Sequence, residues 1–500
     1  MKKLIKILFT ILILINIALA SWYAFNNDLH FNTDVARDFL LFGEIDLKKL
    51  ILIGPRTSAG GLFHGPLWLY LNYPAYLLGG GNPIVVGWFW IFLIICVLFL
   101  SFVIAKKLFN EKTAILYSLI LSAYLIFEAK AFLNPFGAFF LLPVFFFFFV
   151  RYVSTLKFYY LAAHLFFAGL IIQFQMAVGI PLLGLSSLYI LFVIVKNKRL
   201  KHLFAYVFLL LSLSNFIAFD IRHDFIQAKA LVRNLLPVSG NPNLTYGSVL
   251  SGRWSMLTNL QLIKNVSDWR NTFFFAILMF LIALQMRDNR YKAIYASFLY
   301  FYFGYYLLSL VSKQIILTHQ FFPLFSLIFL IFSSLAASRY GKIFLVIFSL
   351  IFASNILYAF SYVKGANNFF GKDEDSWKFL LNLSRQVYES QDKEFGYFVY
   401  SPDVVGYEPK YAMLYAGRLY ENKAYSFEKK PVTYLIIAPP PPDNPYMKDE
   451  WWRINQIKIN KEPNLVIKYS NGYKIEKYLL SEEETQIPYD TNVNPGLHFR

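Results

Sequence analysis

The sequence is short of charge, of cysteine and of internal repetition, and each shortage excludes something. Asp, Glu, Lys and Arg make up only 15% of the 500 residues. Ordinary globular chains run near about 25%, so this one cannot cover a water-facing surface of its own size. The single cysteine, Cys96, lies inside an apolar run, which rules out a disulfide scaffold and a thiolate metal site. No His-Glu-x-x-His pattern and no cluster with metal-ligand spacing occurs. No duplicated half is visible, and the apolar runs are almost free of charge at their centres. Both points argue against a transporter, which tends to carry broken or charged helices at the bilayer midplane.

What the chain does have is apolar bulk: 57% hydrophobic residues, 20% aromatic, and a mean hydropathy of +0.47. Its net charge of +17 would suggest a nucleic-acid partner in a soluble protein. An oily polytopic chain places that charge differently, so its location decides the matter.

About 20 apolar residues cross about 30 Å of hydrocarbon. Runs that meet this test fall near 4–25, 83–105, 112–128, 136–152, 158–174, 177–195, 202–219, 271–286, 293–311, 315–337 and 342–361, eleven in all. The first follows Lys2, Lys3 and Lys6 and ends Ala18-Leu19-Ala20, so it reads as a retained anchor or as a signal peptide. Either reading puts residue 26 outside the cytoplasm.

Lysine and arginine asymmetry then sets the orientation. With the N-terminus inside, the inner connectors hold seventeen cations, including Lys106, Lys107, Arg151, Lys196, Arg199 and Arg287, against Glu111 and Asp288. Residues 361–500 hold eighteen cations and nineteen anions and are nearly neutral. The +17 is therefore a topology signal, and no nucleic-acid partner is expected. The expected protein is a multi-pass inner- or plasma-membrane chain with 1–361 as its membrane region and 362–500 as an extracytoplasmic domain.

The outer segments 26–82, 220–270 and 361–500 are where chemistry is expected, because the inner loops are only connectors. The last offers a helical pattern at 374–390 (Trp377, Leu380, Leu381, Leu383, Val387) and strand-like runs at 396–400, 432–438 and 464–468. Turns at Pro439 to Pro442 and at Asn471-Gly472 complete a small α/β domain. In the first outer loop a helix over 34–47 would put Asp34, Arg37 and Asp38 on one face. Leu40, Leu41 and Leu47 of that helix could rest on the membrane as an amphipathic surface element. A further segment runs Phe63-His64-Gly65-Pro66-Leu67-Trp68-Leu69-Tyr70.

An acidic residue just after the first span, followed by aromatic-x-x-Pro-Leu-x-x-Tyr before the second, resembles the GT-C class of membrane glycosyltransferases. The likeness is to the branch of protein O-mannosyltransferases and aminoarabinose transferases and its bacterial RgtA/B/C/D-like relatives, over roughly residues 1–340. Members often carry Asp-Glu with Arg two residues later; here Asp34 and Arg37 match, while Val35 stands where Glu is usual. His64-Gly65-Pro66-Leu67 stands where relatives place a cation before Pro-Pro-Leu.

The resemblance implies a sugar moved from a polyprenyl-phosphate donor to a glycan, lipid or protein hydroxyl outside the cell, with inversion. Such chemistry needs a carboxylate to take the hydroxyl proton and cations to hold the departing phosphate. Asp34 is the candidate base, its bland alternative being a helix cap beside Thr33. Asp38 is a second acid or a partner for Arg37. His64, Lys130, Arg222, His223, Lys313 and His319 fall at outer span ends, where they could meet phosphate or simply snorkel. Asn134 and Gln173 lie at outer turns, where they could meet sugar hydroxyls or cap helices. Asp220-Ile221-Arg222-His223 is either a ligand element or an internal Asp–Arg pair. No cofactor is called for, although some members of the class bind a divalent ion through acids, as Asp34 and Asp38 could. A transporter or flippase, or a polymerase or ligase for lipid-linked glycans, is the alternative.

Overall fold

The computed structural model describes residues 2–47, 50–57, 59–235, 245–262, 268–311, 317–338, 341–390, 392–441 and 448–493. They fall into two compact units. The first comprises 1–21, 50–71 and 90–362, and the second comprises 22–49, 72–89 and 363–500.

The first unit is helical, and every apolar run of the sequence is a helix or a broken helix. Among the described residues four helices are long and apolar enough to cross a membrane: Pro83–Leu108, Asn134–Thr155, Met176–Lys196 and Phe344–Asn368. Helices Lys6–Ala20, Phe158–Phe174, Trp269–Gln285 and Phe322–Ala336 are apolar but shorter. Glu111–Glu128 and Lys292–Ser309 account for the remaining straight runs.

The run at 202–219 is not one straight helix. Leu200–Ser212 and Ser214–Arg222 meet at 64°. In a hydrocarbon setting a backbone carbonyl released at a break must find another donor. The Gln173 side-chain amide donates to the Ser212 carbonyl at 2.5 Å, which satisfies the break from within the bundle. Close packing elsewhere depends on absent side chains: a Cβ on Gly137 would lie 2.3 Å from the Phe174 ring.

The second unit is built on a five-stranded mixed sheet in the order β2-β1-β3-β5-β4, with β1 Glu394–Tyr400, β2 Lys423–Ser426, β3 Val432–Ile437, β4 Leu465–Lys468 and β5 Lys474–Leu479. The interior strand β1 runs parallel to both neighbours and is buried from Phe395 to Tyr400, as a strand covered on both faces should be. β3 pairs antiparallel with β5, and β5 with β4. The Asn471-Gly472 turn joins β4 to β5, with Gly472 at φ 93°, a left-handed conformation that favours glycine.

Two early segments of the chain belong to this unit. Phe31 N donates to the Asp375 carbonyl at 2.7 Å, and Trp377 N to the Leu29 carbonyl at 3.1 Å. Buried Asp28 accepts from Leu29 N, Gly371 N, Ser376 Oγ and Lys378 N at 2.6–3.1 Å. From the other segment, the Gly81 carbonyl accepts from Tyr411 Oη at 2.5 Å, and Tyr76 Oη from Arg418 at 3.0 Å.

Candidate active site

Helix Thr33–Asp46 carries Asp34, Asp38, Glu44 and Asp46 of the 26–82 segment. Asn32 caps it, its side-chain oxygen accepting from Val35 N at 3.1 Å. The cap position is thus filled by Asn32, and Asp34 is left in the first turn with its side chain 54% exposed. Arg37 Nη1 reaches Asp34 Oδ1 at 2.6 Å and Arg37 Nη2 reaches Asp38 Oδ1 at 3.0 Å. Asp38 is buried and Arg37 nearly so. The two carboxylates hold the guanidinium pKa above its ordinary value despite burial. A rigid, permanently charged fork thus positions an accessible carboxylate.

The helix does not lie free as a surface element. Leu41 is fully buried, as are Val35, Phe39 and Phe42. Phe39 packs edge-on against Tyr411 at 5.1 Å between ring centroids. Leu47 alone of the three expected membrane-facing leucines is strongly exposed, at 68%.

Two acids that the sequence did not single out meet this helix. Thr33 Oγ1 donates to Glu408 Oε1 and, at 3.3 Å, to Asp403 Oδ2. Glu408 opens helix Tyr407–Ala416, and burial pushes its carboxyl up to about 7, with Asp403 and Asp375 adding to the rise. The only hint in the sequence was one acid in the aromatic stretch Tyr407-Glu408-Pro409-Lys410-Tyr411. Among the described residues no group of three or more His, Cys, Asp or Glu is placed to hold a metal ion.

The other sequence candidates lie in the first unit. His64 sits in a loop where Gly54 N donates to the His64 carbonyl at 2.7 Å and His64 N to the Pro55 carbonyl at 2.9 Å. The next amide, Gly65 N, donates to the Gln173 carbonyl at 2.7 Å. A Cβ at Gly65 would lie 2.6 Å from that of Gln173, so this contact demands glycine. Phe63 meets Phe219 edge-on, and Phe219 stacks on His223. His64, Gln173 and His223 are thereby brought to one region.

Several of these residues have structural duties. Asn134 Nδ2 donates to the Phe174 carbonyl at 2.6 Å, and the Gln173 amide is engaged at Ser212. Asp220 caps the next helix, accepting from Gln227 N at 2.8 Å and Ala228 N at 3.0 Å. Lys130 lies over the Tyr362 ring at 5.8 Å. Arg222 is exposed in the last turn of its helix. His319 lies in the short turn Thr318–Gln320, while Lys313 and Pro442 lie outside the described residues.

The chain combines a helical polytopic region with a C-terminal mixed-sheet domain and an acidic first loop. It matches the crystal structure of ArnT from Cupriavidus metallidurans bound to undecaprenyl phosphate, with TM-score 0.59 and 11% identity over 95% of this chain and 98% of that one. The apo structure of the same ArnT matches with TM-score 0.50 and 10% identity over 88% and 97% of the two chains. No family model matches the sequence, and neither does any curated protein. The chain therefore has the fold of an aminoarabinose transferase of the GT-C class, in an integral membrane protein.

Proposed function

We propose that this protein transfers a sugar from a polyprenyl-phosphate carrier to an acceptor hydroxyl on the outer face of the membrane, with inversion at the anomeric carbon. The observation that carries the reading is the match along 95% of the chain to an ArnT structure holding undecaprenyl phosphate. Asp34 is the general base. It is exposed in the first turn of a helix that Asn32 already caps, and Arg37 fixes its orientation. The acceptor oxygen attacks the anomeric carbon as Asp34 takes its proton, and the sugar–phosphate bond breaks with the electron pair leaving on the lipid phosphate. His64, Lys130, Arg222, His223, Lys313 and His319 are the cations and histidines assigned to phosphate, and Asn134 and Gln173 to the sugar.

The test uses full-length protein and a radiolabelled undecaprenyl-phosphate sugar. Asp34→Asn is expected to lower transfer by at least about 100-fold, in the range of a lost general base, with membrane expression unchanged. Full transfer by that variant would remove the base assignment. Absence of transfer by the wild type with every polyprenyl-phosphate sugar offered would remove the transferase reading.

A further inference from the structure

In the second unit the strand order places a topological switch point between β1 and β3. The chain leaving β1 passes through helix Tyr407–Ala416 to β2 on one side, and the chain leaving β3 goes to β4 and β5 on the other. The two strands run parallel, and their carboxyl ends coincide at Tyr400 and Ile437. Ligands of α/β sheets bind in the crevice that opens at such a point.

A cavity of about 220 Å³ opens at the carboxyl end of β1, lined by Tyr400, Ser401, Val404, Trp451, Trp452 and Gln456. Its wall is the π-helical turn Trp452–Ile457, a rare geometry that concentrates at functional sites. Val404 at the rim has φ 68°, a costly conformation for a β-branched residue. Trp451 stands 56% exposed beside Tyr400 and Trp452, whose rings pack at 5.3 Å. Lys448 and Asn492 complete the rim.

We infer that this crevice binds a saccharide ring, and that it is the acceptor subsite of the protein. Drug-sized ligands need about 300–1,000 Å³, so this space suits one sugar ring. The aromatic faces of Trp451 and Tyr400 offer negative quadrupoles to the weakly positive C–H face of a pyranose. Ser401, Gln456 and Asn492 supply donors and acceptors for its hydroxyls.

The same loop reaches the candidate base. Ser401 and Val404 face the cavity, while Asp403 between them accepts from Thr33, the neighbour of Asp34. Asp403 Oδ1 also gathers Ser401 Oγ at 2.7 Å and Gly406 N at 2.9 Å, which fixes the loop. An acceptor glycan seated here would contact the loop whose Asp403 accepts from the Asp34 helix at Thr33. The acceptor role rests on the transferase reading; saccharide binding does not.

Saturation-transfer NMR on the full chain in detergent tests the inference, with methyl α-mannoside, methyl β-galactoside and methyl β-glucuronide as probes. At least one glycoside is expected to bind, with saturation strongest on its ring C–H face. Affinity is expected to fall about two- to tenfold in Trp451→Ala, the range of one aromatic contact, and to recover in Trp451→Phe. Gln456→Ala is expected to weaken binding as well, and Asp34→Asn to leave it intact. The inference is overturned if the wild type binds no glycoside, if binding survives both Trp451→Ala and Gln456→Ala, or if inorganic phosphate displaces the glycoside. Trp451-dependent binding in a protein that transfers no sugar would leave the site standing and remove only the transferase reading.

Discussion

Glu408 shows how one side chain can couple the helix bearing Asp34 to pH. Its carboxyl is buried, is faced by Asp403 and Asp375, and accepts from Thr33. Burial raises its pKa from 4.5 to about 7 in the folded protein, so the native state binds the proton more tightly than the unfolded chain does. The resulting stabilisation is complete below the unfolded pKa and is lost as pH rises through about 7. The whole effect is up to roughly 3 kcal/mol, from about 1.4 kcal/mol per pKa unit. Thermal unfolding in detergent is expected to move to lower temperature between about pH 5 and pH 7. Glu408→Gln keeps an acceptor for Thr33 and removes the titration, so its profile is expected to be flat across that window. An unchanged slope in the variant would assign the effect to another group.

At the scale of elements, one buried acid secures the first outer loop within the second unit. Asp28→Ala would strand three donors, Leu29 N, Ser376 Oγ and Lys378 N, while Gly371 N keeps Ser376 Oγ at 2.9 Å. Unsatisfied buried groups cost about 1–3 kcal/mol each, partly recovered by relaxation, so a loss of about 2–5 kcal/mol is expected. Limited proteolysis should then open near residues 366–374 well before global unfolding, with Asp28→Asn intermediate. None of this was legible in the sequence, because Asp28 looks like any acid next to a membrane span, and its partners Gly371, Ser376 and Lys378 lie far along the chain. The apolar runs were legible, since length and hydropathy are local properties. So were β1, β3, β4 and the turn at Gly472, for the same reason. β5 was not, because Lys474-Ile475-Glu476-Lys477 reads as a solvated charge run until Asp449 and Asp392 are seen to pair with its lysines at 2.5 and 2.7 Å. Asp34 was found by its motif, but its release from capping depended on Asn32, whose role only the backbone reveals. The helix Thr33–Asp46 was placed to within a residue, yet its leucines suggested a bilayer contact where Leu41 is in fact buried among aromatics.

For the molecule as a whole, the excess positive charge predicts an orientation in the membrane. Basic residues collect at alternate helix ends: Lys106 and Lys107 close Pro83–Leu108, Lys196 closes Met176–Lys196, and Arg287, Arg290 and Lys292 join Asp268–Gln285 to Lys292–Ser309. Inner loops retain such residues, so these ends are expected to be the cytoplasmic ones. The nearly neutral C-terminal domain, with Asp34 and the proposed saccharide crevice, is then expected to lie outside. This orientation has a chemical consequence, because nucleotide sugars stay in the cytoplasm and an outer site must draw on a lipid-linked donor. Ser470 and Arg199 are both exposed and report on opposite faces. In a Cys96→Ser background, Ser470→Cys is expected to react with an impermeant maleimide in intact cells, and Arg199→Cys only after the membrane is opened. The reverse pattern would put Asp34 in the cytoplasm, where nucleotide sugars are at hand and the argument for a polyprenyl-phosphate donor would lose its basis.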